Sequence, residues 1–278
     1  MDTKNILDVY ESVKNDIKFI TASAVRTKII LSLNKSDKCL NDFKNEMNLQ
    51  SSSILRALKA LENEDMVFKL EGRYFLSEFG RIIALKLENF FKSVHAITKC
   101  EKIWLDHCIS GIPPFLIIKI GHLSNSFIVE STSTDIIKPQ TYYAEILSKC
   151  NRIRAVNSIF YYPYLELYKE RFKSEAEVEM ILTPLILGVV NKTVSRDKLE
   201  KIISSNHFNL LEIDEDVNIK FTVTETFFSL GLFLNDGLYD ATMNLVSYDR
   251  DAIKWGNELF DYYLKKSQNF NLDELENL

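Results

Sequence analysis

SSSILRALKALENEDMVFKLEGRYFL, residues Ser51–Leu76, decides the fold of the first third of this 278-residue chain. Ile54, Ala57, Leu58 and Leu61 recur at helical spacing and make one apolar stripe. Ser52, Arg56, Lys59 and Asn63 fall on the opposite face. The pattern predicts a helix over Ser51–Glu64, with its leading serines placed to accept from free backbone N–H groups. Met66–Leu70 and Arg73–Leu76 then read as short strands flanking the tight-turn pair Glu71-Gly72.

Upstream, Val25, Ile29, Ile30 and Leu33 predict a helix over Ala22–Leu33. Leu40, Phe43 and Met47 predict a short second one over Cys39–Met47, and Asn48–Gln50 is the turn. Downstream, a further helix begins near Ser77 and runs to about Ala96. Helix, helix, turn, helix, hairpin is the order of a winged helix-turn-helix. The third helix of such a domain enters the major groove of a duplex. Here Arg56 and Lys59 face outward, and the small hydroxyls of Ser52 and Ser53 permit close approach. Lys69 and Arg73 on the hairpin are placed for backbone phosphates. The expected partner is double-stranded DNA. A winged helix also serves protein–protein contacts, and that alternative stays open. Ile82, Ile83, Leu87, Phe90, Phe91 and Val94 make a stripe wider than one small domain needs, which points to a homodimer or to docking on a second domain.

Three pieces of this third carry a resemblance: S-x-x-R-T-K-I-I-L-x-L at Ser23–Leu33, S-S-S-I-L-R-A-L-K-x-L-E at Ser51–Glu62 and G-R-Y-x-L-S-x-x-G at Gly72–Gly80. Together they resemble the winged-helix domain of archaeal transcriptional regulators in the broad arsenic-repressor-like class.

Charge agrees with that placement. The whole chain is acidic, with a formal net charge of −5. Residues 1–92 carry 15 Lys and Arg against 13 Asp and Glu, whereas the remainder carries 19 against 26. The non-acidic end is where a polyanion is expected to bind, and the acidic remainder lowers non-specific adhesion to DNA. Only 8 glycines and 5 prolines are present, which disfavours Gly-rich phosphate loops and favours long helices. Cys39, Cys100, Cys108 and Cys150 form no C-x-x-C pair and suit a reducing compartment. No stretch approaches the roughly 18 apolar residues of a membrane span, and the charged N-terminus has no signal-peptide core. A cytoplasmic location is expected.

Beyond the first third, Ile103–Cys108 and Phe115–Ile120 read as short helices around the break Ile112-Pro113-Pro114. From about Asp135 the pattern alternates. Tyr142–Lys149, Tyr164–Phe172, Asp197–Ser204 and Ala252–Lys265 read as helices. Ile153–Phe160, Val178–Leu182, Phe208–Leu211 and Ala241–Val246 read as strands, with a hairpin of Lys220–Thr224 and Phe227–Leu234. The polar tail Asn269–Leu278 is expected to fray. Such β–α units imply a mixed sheet covered by helices. The fold class is therefore α+β: a winged helix over 1–92, a helical linker over 93–134 and a mixed α/β effector domain over 135–278. The β–α order also resembles phospholipase D-like folds used without catalysis.

Trp104, Asp106, His107, Ile112, Pro113, Leu116, Ile120, Gly121 and Leu123 fit the signature W-x-D-H-x-x-x-x-I-P-x-x-L-x-x-x-I-G-x-L. Gly231-Leu232-Phe233, Asp236-Gly237, Tyr239-Asp240, Ser247, Ala252-Ile253, Trp255-Gly256 and Leu259-Phe260 supply a closing half. Both resemble the middle domain of archaeal methanogenesis-regulatory (Fil-type) transcription factors. The resemblance implies a regulator of methanogen metabolism and names no signal.

Catalytic signatures are missing. There is no G-x-G-x-x-G, no G-x-x-x-x-G-K-[ST] and no G-x-S-x-G. None of His95, His107, His122 or His207 has a lysine two residues on, as phospholipase D chemistry requires. A non-enzyme without cofactor is expected; a hydrolase using the C-terminal domain is the remote alternative. Cys100 and His107 would share a helix face at i, i+7, with Cys108 about 100° around. Further ligands for a tetrahedral site are missing nearby, so no metal is expected. A small molecule or protein partner is expected at the C-terminal domain, where aromatics are dense. Arg152, Arg154, Tyr162, Asp236 and Tyr239 are its candidate contacts. An effector there would shift the spacing of two recognition helices, which must match half-sites about 34 Å apart.

Overall fold

The computed structural model describes residues 5–173, 176–205 and 207–270. It divides into a first unit, Met1–Phe91, and a second, Lys92–Leu278.

The first unit runs α1 (Ile6–Thr21), α2 (Ala24–Leu33), β1 (Lys38–Cys39), α3 (Leu40–Met47), α4 (Ser51–Asn63), β2 (Val67–Leu70), β3 (Arg73–Leu76) and the start of α5 (Glu78–Lys99). Local chemistry sets the boundaries. The Ser23 hydroxyl accepts from the Arg26 amide at 3.4 Å and starts α2. The Asp42 carboxylate accepts from the Cys39 amide at 2.8 Å and starts α3. Left-handed Asn48, φ 50°, ends α3. Glu71 and Gly72 both have positive φ, 50° and 81°, as a right-twisted two-residue hairpin turn demands. Ile29, Ile30, Phe43, Ile54, Leu58, Leu61 and Tyr74 close one core.

Two elements here were not legible in the sequence. The amphipathic α1 precedes the winged helix, and β1 adds a third strand in the order β1-β3-β2. The leading serines of α4 do not cap it. Gln50 holds the cap position and no side chain bonds there, which leaves Ser52 and Ser53 exposed.

The second unit continues with α6 (Glu101–Asp106), β4 (His107–Cys108), α7 (Pro114–Ile117), a 3-10 turn (Ile120–Leu123), β5 (Phe127–Glu130) and α8 (Lys138–Leu147). Then come β6 (Arg152–Asn157), α9 (Tyr162–Lys173), β7 (Glu177–Leu182), α10 (Pro184–Thr193), α11 (Arg196–Ile203) and β8 (Phe208–Glu212). The chain closes with β9 (Ile219–Thr224), β10 (Phe228–Leu234), β11 (Met243–Ser247), α12 (Arg250–Leu264) and β12 (Gln268–Asn269). One sheet runs β12-β8-β7-β6-β9-β10-β11-β5, with β4 paired to β10. β6, β7 and β8 are parallel, and every other pairing is antiparallel. This is the mixed, helix-covered sheet expected from the alternation, although α10 and β5 were not anticipated.

The period of two along each strand builds two cores. Ile219, Phe221, Val223, Phe228 and Leu230 point to one face, where Trp255, Leu259, Phe260 and Tyr263 of α12 cover them. Ile153, Ala155, Val178 and Met180 point to the other face, under Tyr143, Leu147, Tyr164 and Leu187. The stretch 93–134 is not a free linker. Ile103, Ile112, Leu116, Ile120 and Leu123 join the α12-side core, and Phe127–Glu130 is a strand of the sheet. His107 and Cys108 are strand residues paired with Leu234 and Phe233, so the helix does not reach Cys108. Asn269, where fraying was expected to start, is a strand residue paired with Leu211; the rest of that tail, 271–278, lies outside the described residues.

Gly80 gives a sharp test of the first unit. A Cβ there would meet the Met66 carbonyl oxygen at 2.0 Å. Glycine inside a helix ordinarily costs about 0.5–1 kcal/mol relative to alanine. At this site the sign reverses: Gly80→Ala should destabilise by about 1–3 kcal/mol through overpacking. Urea denaturation followed by circular dichroism measures it, and a gain in stability would contradict the packing.

Candidate functional sites

The first unit presents one continuous outer face. Burying Ile54, Ala57, Leu58 and Leu61 turns Ser52, Ser53, Arg56 and Lys59 of α4 into solvent. Lys59 pairs loosely with Glu62 at 3.6 Å. Lys69 on β2 is exposed, its ammonium 5.3 Å from the centre of the Tyr74 ring. Arg73 is different. Its guanidinium bonds the Asp37 carboxylate, reaches the Asp37 carbonyl at 3.1 Å and lies 3.8 Å from Asp42. Those contacts tie β3 to the loop before β1 and hold the Asp37 carboxyl below its ordinary pKa. Of the two hairpin cations expected at phosphates, Lys69 is exposed and has no ion pair among the described residues, whereas Arg73 is engaged. Phe68 and Leu70, 46% and 57% exposed, flank Lys69 and make the hairpin partly apolar.

In the second unit, a cleft of about 520 Å³ lies beyond the C-terminal ends of β6, β7 and β8. Ser158, Thr183, Phe233 and the carboxylates of Asp214, Glu215 and Asp216 line it. Strand ends of this kind are the usual ligand crevice of open α/β sheets.

The sequence-derived contacts scatter around it. Arg152 is exposed at the opposite, N-terminal end of β6. Arg154 points to the α12 face, where it bonds Glu179 at 2.8 Å, Asn257 at 3.0 Å and Asp261 at 2.9 Å, and stacks 4.2 Å from the Phe260 ring centre. With its donors and its face engaged, it pins α12 to the sheet. Tyr162 is exposed at the first turn of α9. The Asp236 carboxylate accepts from the Leu238 amide at 3.0 Å and holds an exposed turn. Only Tyr239 enters a polar interior cluster.

The centre of that cluster escaped the sequence reading. Lys220, on β9, is 4% exposed. Its ammonium lies 4.5 Å from the Tyr143 ring centre, 4.4 Å from Tyr164 and 6.0 Å from Tyr239. Among the described residues no carboxylate pairs with it, and burial pulls its pKa down to about 7. Beside it, the Tyr143 hydroxyl bonds Tyr168 at 2.9 Å and Thr222 at 2.8 Å. Gly231 sits opposite Lys220 in the register, and only a missing side chain lets the Tyr239 hydroxyl rest there, 2.2 Å from where a Cβ would stand. The Tyr239 hydroxyl donates to Asn244 at 3.3 Å. The available signal was the alternation K-F-T-V-T on β9, which reads naturally as a solvent-facing polar row.

Cys100, His107 and Cys108 do not converge. Cys100 is buried at the start of α6, and burial raises its thiol pKa. The His107 ring bridges the Ile103 carbonyl and the Asp240 carboxylate, each at 3.0 Å. Burial opposes the charge on Asp240, but bonds from the Thr242 hydroxyl and amide and from His107 outweigh it and hold that pKa low. Among the described residues no three His, Cys, Asp or Glu side chains are grouped to hold a metal ion.

Fold and surfaces together define a class: a winged helix-turn-helix unit joined to a helix-covered α/β unit with an interior polar cluster. Family models agree with both halves. The N-terminal domain of methanogenesis regulatory protein FilR1 matches residues 14–95, and its middle domain matches residues 136–266. The chain belongs to the FilR1 family of methanogenesis regulatory proteins. It is 26% identical over 271 residues to methanogenesis regulatory protein FilR1 of Methanothrix harundinacea (strain 6Ac), covering 96% of this chain and 60% of that protein. The chain thus spans about 60% of the length of that curated relative. Among solved structures it is similar to TrmBL2, an archaeal chromatin protein, at 10% identity and a TM-score of 0.42, covering 88% of this chain and 94% of that one. Phosphatidylserine synthase of Haemophilus influenzae Rd KW20 is similar at 12% identity and a TM-score of 0.41, covering 54% and 40%.

Lys220 generates a pH signature. The unfolded chain keeps the lysine proton to about pH 10, whereas the folded chain releases it near pH 7. Between those values the unfolded state binds more protons, so this group makes stability rise with pH. Lys220→Met removes that contribution. Its stability advantage over the parent should be largest below about pH 7 and should shrink toward about pH 10. Urea melts of both proteins across that range measure it, and a constant difference would contradict an unpaired buried amine.

Proposed function

We propose that this chain is a DNA-binding transcriptional regulator acting in the cytoplasm on genes of methanogen metabolism, and that it catalyses no reaction itself. The observation that carries the reading is the outer face of α4, where Ser52, Ser53, Arg56 and Lys59 are exposed together. A helix with two cations and short hydroxyls on one face fits the major groove, where an arginine pairs bidentately with guanine. Lys69 would meet backbone phosphate, whereas Arg73 would first have to leave Asp37. The family match over 14–95 supports the assignment of this unit.

The working form would be a homodimer. Ile83 and Leu87 of α5 pack into the core of the first unit, but Phe79, Ile82 and Phe90 are exposed at helical spacing. On α1, Ile6, Val9, Tyr10 and Ile17 are exposed in the same way. Apolar stripes of this length suit a second copy. A small molecule or protein effector would act on the second unit and change DNA affinity by favouring one arrangement of the dimer.

A second reading has one observation in its favour. Phe68 and Leu70 leave the hairpin apolar around Lys69, which suits a protein surface. Salt separates the readings, because phosphate contacts release counterions and protein contacts need not. The test is a mobility-shift titration against fragments of the source genome at several salt concentrations. Steep loss of affinity with salt is expected. Arg56→Ala should weaken the specific complex by about 1–3 kcal/mol. An unchanged titration, with the fold intact by circular dichroism, would remove the groove role of α4.

A further inference from the structure

The two faces of the second-unit sheet are unequal. On the α12 side, β9 and β10 present Ile219, Phe221, Val223, Phe228 and Leu230. On the other side the same strands present Lys220, Thr222, Thr224 and Ser229, all buried. A polar row like this normally faces water. Here helices and tyrosines cover it. Burying an amine with no carboxylate partner is costly, and a stability role alone would be better served by an apolar side chain.

Two cavities adjoin the cluster. One, of about 50 Å³, is lined by Asn157, Tyr161, Tyr164, Tyr168 and Ile186. The next, of about 70 Å³, runs among Val194, Leu199, Ile203, Phe208 and Leu210. They share Leu165, Tyr168, Met180, Leu182 and Val190 as walls. Each exceeds several-fold the roughly 10–15 Å³ that a single water needs on this measure. The first is polar at Asn157 and its tyrosines, and apart from Tyr168 the second is lined by apolar side chains. Tyr164 is the partition: its ring faces the Lys220 ammonium and also walls the first cavity.

We propose that this arrangement is a binding site for a monocarboxylate with a short hydrocarbon tail, whose carboxylate pairs with Lys220 once the Tyr164 ring moves aside and whose tail fills the adjoining cavities. The charge count selects the head group. One ammonium among neutral hydroxyls of Tyr143, Tyr168 and Thr222 balances a single negative charge. A phosphate calls for several cations or a row of backbone N–H groups. The aliphatic walls select the tail. A carboxylate supplies the partner that the buried amine lacks among the described residues, so binding removes an existing cost.

The proposal rests on reading the second unit as the effector-responsive part, and its test keeps the two apart. Isothermal titration calorimetry of the full chain without DNA compares hexanoate, hexanol and inorganic phosphate. Hexanoate should bind about tenfold or more tighter than hexanol, a preference that a desolvated charge pair can supply. Phosphate should not bind. Lys220→Met should lose the preference for hexanoate while remaining folded, since it replaces an unpaired amine by an apolar side chain of similar length. Val190→Phe, which fills a wall common to both cavities, should weaken hexanoate and leave Lys220 in place. Equal binding of hexanoate and hexanol, no binding of hexanoate, or undiminished binding by Lys220→Met would overturn the site. Undiminished binding by Val190→Phe would overturn the placement of the tail. A mobility shift with and without hexanoate then reads the regulatory link alone. Hexanoate binding that leaves the shift unchanged supports the site and removes only its coupling to DNA.

Discussion

A sheet covered by helices on both faces must hide whatever its strands carry, and β9 carries a lysine. Much of the second unit answers that constraint. Tyr143 from α8 and Tyr164 from α9 stack on the ammonium, and Tyr239 closes in from the segment after β10. Gly231 opposite gives the Tyr239 hydroxyl its room. On the other face the same strands are uniformly apolar and seat Trp255, whose indole N–H donates to the Leu116 carbonyl at 3.0 Å. The two faces therefore differ in chemistry: the α12 face is apolar, and the tyrosine face buries polar groups within its core.

The first unit follows the reverse logic. Its core is small, so nearly every polar side chain of α4 and the hairpin is left at the surface. Close approach at Gly80 and the two positive-φ residues of the hairpin turn set the wing against α4 and α5. The Arg73–Asp37 pair fastens the third strand. What remains exposed is the outer face of α4 with Lys69, and that residue set is the one an electrostatic partner would meet.

Much of this architecture was legible in the residues themselves. Helical spacing in α4 and α12, the Glu71-Gly72 turn and the β9–β10 hairpin are local patterns, and local patterns survive folding. The shortfalls share a physical cause. His107-Cys108 looked helical because it continues the α6 spacing, but pairing with β10 draws it into the sheet. Residues 93–134 looked like a linker because their apolar residues are broken by Pro113-Pro114, yet those residues fill the α12-side core. Arg154 looked available to a ligand because its acceptors, Glu179, Asn257 and Asp261, lie far along the chain.

The sequence by itself determined the winged helix, the mixed sheet and the outer face of α4, because each follows from periodicity and turn chemistry within a few dozen residues. Tertiary structure alone decided that the polar row on β9 is interior, that Arg152 and Arg154 lie away from the strand-end cleft, and that the Lys220 ammonium sits against tyrosine rings. An alternating strand states which residues share a face. Only the packing of α8 and α9 states whether that face meets water.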